Sequence, residues 1–277
     1  MSMLLGLIGS GIDLSRTPVM QEREADEHGV RCIYQILNLD RLGGPDALPG
    51  LLDAAQRMGF AGLNITHPCK QAVIPLLDEV SPDAAALGAV NTVLFQNRRR
   101  RGENTDSWGF AEAFRRNMAG ADVSRVVQLG SGGAGAAVAY ALLTLGVQHL
   151  TLVDADPARA AALAGSLSAH FAGRVVAGDA ADAVPATTGL VNCTPVGMAQ
   201  HPGLPLPATL LHPALWVADI VYFPLETALL ATARALGCRT LDGGKMAVFQ
   251  AVQAFQLFTG LTPDPERMLR HFATMDE

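Results

Sequence analysis

Apolar residues along this chain fall into short runs divided by polar, glycine-marked breaks. "LLGLIGS" (4–10), "CIYQILNL" (32–39) and "FAGLNIT" (60–66) each read as a buried strand. Between them, Pro18 to His28 and "LPGLLDAAQRMG" (48–59) read as helices. Thr17 is the expected N-cap of the first helix, with Pro18 at its first position and Gly29 as its stop; Gly59 closes the second. "GAVNTVLFQNRRRRGENTD" (88–106) predicts two short strands about a basic turn. The texture changes near residue 107. A helix over 107–118 is followed by the strand "RVVQL" (125–129), a glycine turn and a helix rich in small residues. Further strands are expected in "HLTLVDAD", "GRVVAG", "TGLVNCTP" and "ALWVADIVY", with a helix over 157–171 and two helices in the tail, "KMAVFQAVQAFQLFTG" and "DPERMLRHFATM". Strands alternating with helices argue an α/β protein, and the second run of βα units has the order of a mononucleotide-binding domain.

Composition narrows the function. Apolar residues make up 49% of the 277 and charged residues 17%, as in a folded globular chain. A net charge of −6 excludes a broad basic footprint for nucleic acid. The arginines at 98–101 read as a solvated turn that also attracts anions. Cys32, Cys69, Cys193 and Cys238 are too widely spaced for a disulfide framework or a zinc knuckle, and the scattered histidines form no HxxxH or HxH pair, so no metal site is expected. No secretory signal and no membrane span are read, which predicts a cytoplasmic protein.

The first chemical signal is Gly130, Gly132 and Gly135, a G-x-G-x-x-G that follows an apolar strand and opens a helix. Gly130 permits the tight turn, Gly132 lets a pyrophosphate approach the backbone, and Gly135 lets the helix pack against the sheet. Ser131, Gly133 and Ala134 complete the loop, whose N–H groups face the phosphates. Asp154 stands 24 residues after Gly130 and ends the next strand. A carboxylate there accepts both ribose hydroxyls and repels a 2′-phosphate, which favours NAD over NADP. Arg159 lies within reach of a phosphate, and Asp156 reads as a surface charge or a helix cap.

A nicotinamide cofactor requires an acid–base pair, because the oxygen on the hydride-bearing carbon must lose or gain a proton. Two strand ends offer candidates: Asn64, Thr66 and Lys70 in "NITHPCK", and Asn104, Thr105 and Asp106 in "ENTDSWG". A lysine facing an aspartate is ordinarily only a salt bridge; loops at a domain boundary make a cleft pair the better reading.

Taken together, "LSRTP", "NITHPCK", "GAVNTV", "NTDSWG", "GSGGAG", "NCTPVGM", "DIVYFPLETALL" and "GGKMAVFQAVQAF" make the chain resemble the shikimate/quinate dehydrogenase family over nearly its whole length. The resemblance implies an α/β substrate domain over 1–106, completed by helices in 242–277, and a Rossmann-type NAD-binding domain over 107–241, with a cleft between them. It implies Lys70 and Asp106 as the catalytic dyad. Ser15 and Thr17 would grip the substrate carboxylate, with Arg16 turned to solvent. Asn64, Thr66 and Asn91 would hold ring hydroxyls, and Gln250 and Tyr222 would also reach the substrate. Asn192, Cys193, Thr194, Met198 and Met246 would line the cofactor, with Gly243 near its nicotinamide. His67 and Cys69 are left without a proton-transfer role, Cys69 as packing. Threonine rather than serine at 17, together with Asp154, resembles the NAD-dependent quinate/shikimate dehydrogenases. The expected reaction is oxidation of quinate or shikimate to the 3-dehydro acid. The alternatives are a biosynthetic NADP-dependent shikimate dehydrogenase, an enzyme for an aminated shikimate-like acid, or a silent dinucleotide sensor. Monomer and homodimer both stay open.

Overall fold

In the computed structural model, which describes residues 2–276, the first apolar run forms β1 (Ser2–Gly9). It is followed by β2 (Arg31–Asn38), β3 (Gly62–Ile65), β4 (Glu79–Val80), β5 (Thr92–Gln96) and β6 (Arg99–Glu103). These six form one sheet in the order β2-β1-β3-β5-β6-β4. Strands β2, β1 and β3 are parallel, whereas β5 runs antiparallel to both β3 and β6. That change of direction matters for the site. It brings the C-terminal ends of β3 and β6 to the N-terminal end of β5, through the register pairs Asn64–Thr92 and Thr92–Glu103. The loop after β3 is tied to the end of β1, since Thr66 N–H donates to the Ile8 carbonyl at 2.9 Å and Ser10 N–H to the His67 carbonyl at 2.8 Å.

This sheet belongs to a unit made of residues 2–105 and 250–276; residues 106–249 form a second unit. The second boundary falls inside the helix Gly243–Thr259. The core of the first unit is built from strand residues Leu5, Ile8, Leu63 and Ile65 and helix residues Leu48, Leu52 and Phe255, all essentially inaccessible. Burying each such side chain contributes roughly 1.5–3 kcal/mol. Gly62 is glycine because a β-carbon there would strike the Phe258 ring.

Three local expectations are corrected. Thr17 is not the N-cap: the helix runs Thr17–Glu27 with Arg16 before it, and no side chain caps it. Arg16 already has helical backbone angles, and Pro18 sits one position further in, where a missing N–H is equally tolerated. Instead, Ser15 Oγ accepts the Thr17 N–H at 3.3 Å. Arg16 does not point to solvent; its guanidinium lies 5.1 Å from the centre of the Phe272 ring, a cation–π contact. The arginine run is a solvated turn only in part. Asn97 and Arg98, with φ of 52° and 64°, form a two-residue hairpin turn, and Arg99 to Arg101 lie within β6. Strand alternation turns Arg100 inward to Asp53 and Gln56, while Arg99 pairs with Glu79 and Arg101 with Glu103.

The second unit contains β7 (Arg125–Leu129), β8 (His149–Val153), β9 (Val175–Ala177), β10 (Gly189–Asn192), β11 (Trp216–Asp219) and β12 (Arg239–Leu241). All neighbours are parallel, in the order β9-β8-β7-β10-β11-β12. This is the Rossmann order, in which the winding reverses between β7 and β10 and opens a crevice beyond their C-terminal ends. Val127, Leu190 and Val217 in the sheet pack with Leu229 and Leu230 of the helix Ala228–Ala235. Asp156 caps the helix Pro157–Ser168 by accepting the Ala158 N–H at 3.0 Å. Among the described residues, no helix is long and apolar enough to cross a membrane, and no group of three His, Cys, Asp or Glu is placed to hold a metal ion. Cys69 packs in the core of the first unit.

Candidate active site

The strand ends of the first unit carry a continuous hydrogen-bonded chain of side chains. Tyr34, on β2, donates its hydroxyl to Asn64 Oδ1 at 2.7 Å. Asn64 Nδ2 donates to Thr92 Oγ1 at 3.0 Å and to the Asn91 carbonyl at 3.4 Å. Thr92 Oγ1 donates to Asn91 Oδ1 at 3.0 Å, and that oxygen also accepts the Thr105 N–H at 2.8 Å. Asn91 Nδ2 reaches Thr105 Oγ1 at 3.0 Å. Backbone groups set the polarity of both amides, because a carbonyl can only accept and an N–H only donate. Asn64 therefore keeps acceptor capacity on Oδ1 with both of its hydrogens engaged. Asn91 keeps one N–H. The pair suits a ligand that offers a hydroxyl hydrogen to one and an oxygen acceptor to the other.

The other residues singled out in the first unit lie on neighbouring segments of its chain. Thr66 and Lys70 are half-buried on the loop after β3, whereas His67 is exposed. The Lys70 carbonyl accepts the Val90 N–H at 2.8 Å, which ties that loop to the segment carrying Asn91. Ser15 and Thr17 are half-buried at the head of the helix Thr17–Glu27. The C-terminal helices hold that helix in place. Gln21 Nε2 donates to the Ala251 carbonyl at 2.9 Å, next to Gln250. Arg267 makes a two-pronged contact with the buried Glu24, at 2.6 and 2.9 Å. Asp106, the first residue of the second unit, directly follows Thr105 in the first turn of the helix Thr105–Asn117, where the helix dipole favours a carboxylate. Its side chain is buried.

In the second unit the glycine loop has the shape its spacing predicts. Gly130 has φ of 93°, and a β-carbon there would lie 2.7 Å from the Cys193 carbonyl oxygen. A β-carbon at Gly135 would collide with the Gly130 carbonyl, while Gly132 and Gly133 have nothing within 4 Å of theirs. The helix Gly133–Thr144 begins without a side-chain cap, leaving its first N–H groups for a ligand. Ser131 N–H donates to Asp154 Oδ2 at 2.7 Å, and Asp156 N–H to Asp154 Oδ1 at 2.9 Å. Burial raises the Asp154 pKa, but these two bonds and the charge of Arg159 outweigh it, so the carboxyl sits below its ordinary range. Arg159 lies 3.5 Å from Asp154 and 3.9 Å from Asp156. Open glycines, uncapped N–H groups and an ionised carboxylate together fit a dinucleotide.

The loop after β10 is held from within. Asn192 is fully buried, and its amide is committed to Thr194, Val196 and Asp219 rather than offered outward. Met198 and Tyr222 are exposed on the loops after β10 and β11. Gly243 opens its helix so close to the exit of β11 that a β-carbon would strike the Ile220 carbonyl, and Met246 is buried one turn on.

Residues 7–93 match the shikimate dehydrogenase substrate-binding domain. The whole chain is 60% identical to the shikimate dehydrogenase (NADP(+)) of Streptomyces avermitilis, an alignment covering 99% of this chain and 96% of that protein. The chain belongs to the shikimate/quinate dehydrogenase family. Within this family it is also 52% identical to the quinate/shikimate dehydrogenase (NAD(+)) of Corynebacterium efficiens, with 99% of each covered. Its fold superposes on quinate dehydrogenase from Corynebacterium glutamicum in complex with NAD, with a TM-score of 0.95, 51% identity and 99% of each chain covered. These shikimate/quinate dehydrogenase relatives divide between two cofactors by name, so membership alone leaves that choice to the residues.

Four members of the polar network escaped the sequence reading of this shikimate/quinate dehydrogenase chain. Gln128 donates to the carbonyls of Gly130 and Gly135, at 2.9 and 2.8 Å, and so staples the glycine loop from beneath. Asp219 and Thr227 brace the loops after β10 and β11. For Gln128 and Asp219 a signal existed: Gln128 interrupts the buried apolar stretch of β7, and Asp219 is the one polar residue of β11, both in a parallel sheet. Tyr34 had none, because an aromatic residue in a strand needs no special explanation.

Proposed function

We propose that this chain is an NAD-dependent dehydrogenase that oxidises a ring hydroxyl of quinate or shikimate to the corresponding 3-dehydro acid. Lys70 takes the hydroxyl proton and returns it in the reverse direction. Asp106 orients both lysine and substrate. Asn64 accepts from one ring hydroxyl, Asn91 donates to a neighbouring oxygen, and Ser15 and Thr17 hold the carboxylate, with Thr66, Gln250 and Tyr222 completing the grip. A bound NAD would supply the acceptor for the hydride released as the C–H bond breaks; the loop Gly130 to Gly135 would hold its pyrophosphate and Asp154 its adenosine ribose.

One observation carries the choice of NAD. Asp154 is ionised and anchored to the glycine loop, and Arg159 leans toward Asp154 and Asp156. A 2′-phosphate would meet a fixed negative charge, while a 2′-hydroxyl finds an acceptor. The cofactor named for the Streptomyces relative favours NADP; the local charge in this chain argues against it. Initial rates with quinate and with shikimate, each with NAD and with NADP, test the reading. The expected result is a higher kcat/KM with NAD for at least one acid. Faster turnover with NADP overturns the role of Asp154, and activity with neither acid redirects the search to an aminated analogue.

A further inference from the structure

We propose that Asp219 is a positioning residue: through Asn192 it presets the loop 193–198 for the dinucleotide. The inference rests on the proposed role of that loop in cofactor binding. Its starting point is a residue out of place. Asp219 ends β11 after Trp216, Val217 and Ala218, and it is 2% exposed. An apolar residue would suit that interior, because a buried carboxylate loses its hydration. Among the described residues no ion pair includes Asp219; three neutral donors hold it instead. Asn192 Nδ2 and Val221 N–H both reach Oδ1 at 3.0 Å, and Thr227 Oγ1 reaches Oδ2 at 2.7 Å.

Each donor belongs to a different segment. Asn192 ends β10, Val221 leads out of β11 toward Tyr222, and Thr227 caps the helix Ala228–Ala235 by accepting the Leu230 N–H. The carboxylate is thus the common point of two loops and a helix start. Asn192 carries the effect outward. Its Nδ2 also donates to the Val196 carbonyl at 3.0 Å, and its Oδ1 accepts from Thr194 N–H at 3.0 Å and Thr194 Oγ1 at 2.7 Å. Thr194 Oγ1 then accepts the Val196 N–H at 3.2 Å. Rotating the Asn192 amide by half a turn would set its oxygen against the Asp219 carboxylate and the Val196 carbonyl, and its NH2 against the Thr194 N–H. Asp219 is therefore one of the groups that locks the amide, and with it the path of residues 194–196. That path starts beside the winding reversal, where the Cys193 carbonyl packs on Gly130. A loop locked before the ligand arrives loses less conformational freedom on binding.

The test compares Asp219→Ala, Asp219→Asn and Thr227→Val in the full-length enzyme. Steady-state KM is measured for NAD and for the acid, and NAD affinity by calorimetry without the acid. Asp219→Ala strands buried donors, and it should raise the NAD KM and Kd at least about 5-fold while the acid KM moves less than about 2-fold. Asn keeps an acceptor for Asn192 and Val221 and can donate to Thr227, so it should restore NAD affinity to within about 3-fold of wild type. Thr227→Val removes one donor of three and should shift the NAD KM in the same direction by a smaller factor; it is the readout if Asp219→Ala does not fold. An unchanged NAD KM in both Asp219→Ala and Thr227→Val, equal shifts in the two KM values, or an Asn variant as impaired as Ala overturns the proposal. Wild-type assays separate this from failure of the functional reading. If wild type prefers NADP, the same comparison is run with NADP; if wild type turns over but only the acid KM responds to Asp219, the loop assignment fails and the reaction stands.

Discussion

The Tyr34 hydroxyl donates to Asn64 Oδ1 at 2.7 Å, across two strand spacings of the first sheet. Burial first, and the neighbouring Cys32 second, push the Tyr34 pKa well above its ordinary value. The phenol thus remains a neutral donor at neutral and moderately alkaline pH. Tyr34→Phe should cost about 1 kcal/mol of stability, the usual net worth of one hydrogen bond. It should also raise the acid KM several-fold, about 3- to 10-fold, and leave the NAD KM alone. Because the donor does not titrate, the ratio of variant to wild-type KM should be the same at neutral and alkaline pH. Convergence of the two enzymes near pH 9 would show that Tyr34 ionises in the folded protein.

Lys70→Ala removes the proposed proton acceptor and nothing from the cofactor side. Turnover should fall by about 10²- to 10⁴-fold, the usual contribution of a positioned acid or base. Calorimetric NAD affinity should stay close to wild type. A turnover number within a few-fold of wild type would remove Lys70 from the mechanism.

Asp154 serves the glycine loop as well as the proposed ribose contact, so Asp154→Ala should lower NAD kcat/KM by about 10-fold or more. The NADP rate should fall less, or rise, since the repelling charge is gone and Arg159 is released from it. The ratio of the two kcat/KM values is the deciding measurement. An unchanged ratio would mean that cofactor choice lies elsewhere.

Asp219 predicts a pH signature in stability. Burial lifts its pKa from the ordinary 3.8 to about 6, against the three hydrogen bonds that pull it down. The folded state therefore binds this proton more tightly than the unfolded chain does. The stabilisation this proton brings is complete below the unfolded pKa and is lost as pH rises through about 6. Asp219→Asn abolishes the titration. The stability of Asp219→Asn minus that of wild type should rise between pH 4 and pH 6.5, by on the order of 2 kcal/mol, and then flatten. Denaturant titrations of both proteins at several pH values provide the curve. A flat difference would place the carboxyl in an ordinary environment.

How much of this was legible beforehand follows from where each determinant lies along the chain. The strands, the main helices and the glycine turn were readable because each is encoded within a few residues, as periodicity, β-branching or a required positive φ. The cap of the first helix was misplaced by one residue. Ser15 and Thr17 both carry a hydroxyl that suits a cap, and the boundary was decided by the helical backbone angles of Arg16. The basic turn is shorter than the arginine run for a related reason. Register pairs Gln96 with Arg99, which leaves only Asn97 and Arg98 for the turn and sends the next three arginines into a strand beside Asp53 and Glu79.

By itself, the sequence determined the local vocabulary of this protein: α/β segments, a dinucleotide loop with its acidic partner, and the motifs of a dehydrogenase family. Tertiary structure decided what those side chains do to one another. Tyr34 meets Asn64 only because β1 lies between their strands, and Asn192 meets Asp219 only because β10 and β11 are neighbours in register. Such pairs stand roughly 30 residues apart, and no local pattern announces them. The polarity of Asn64 and Asn91 and the lock on the loop after β10 follow from buried hydrogen bonds that must be satisfied once the sheets have formed.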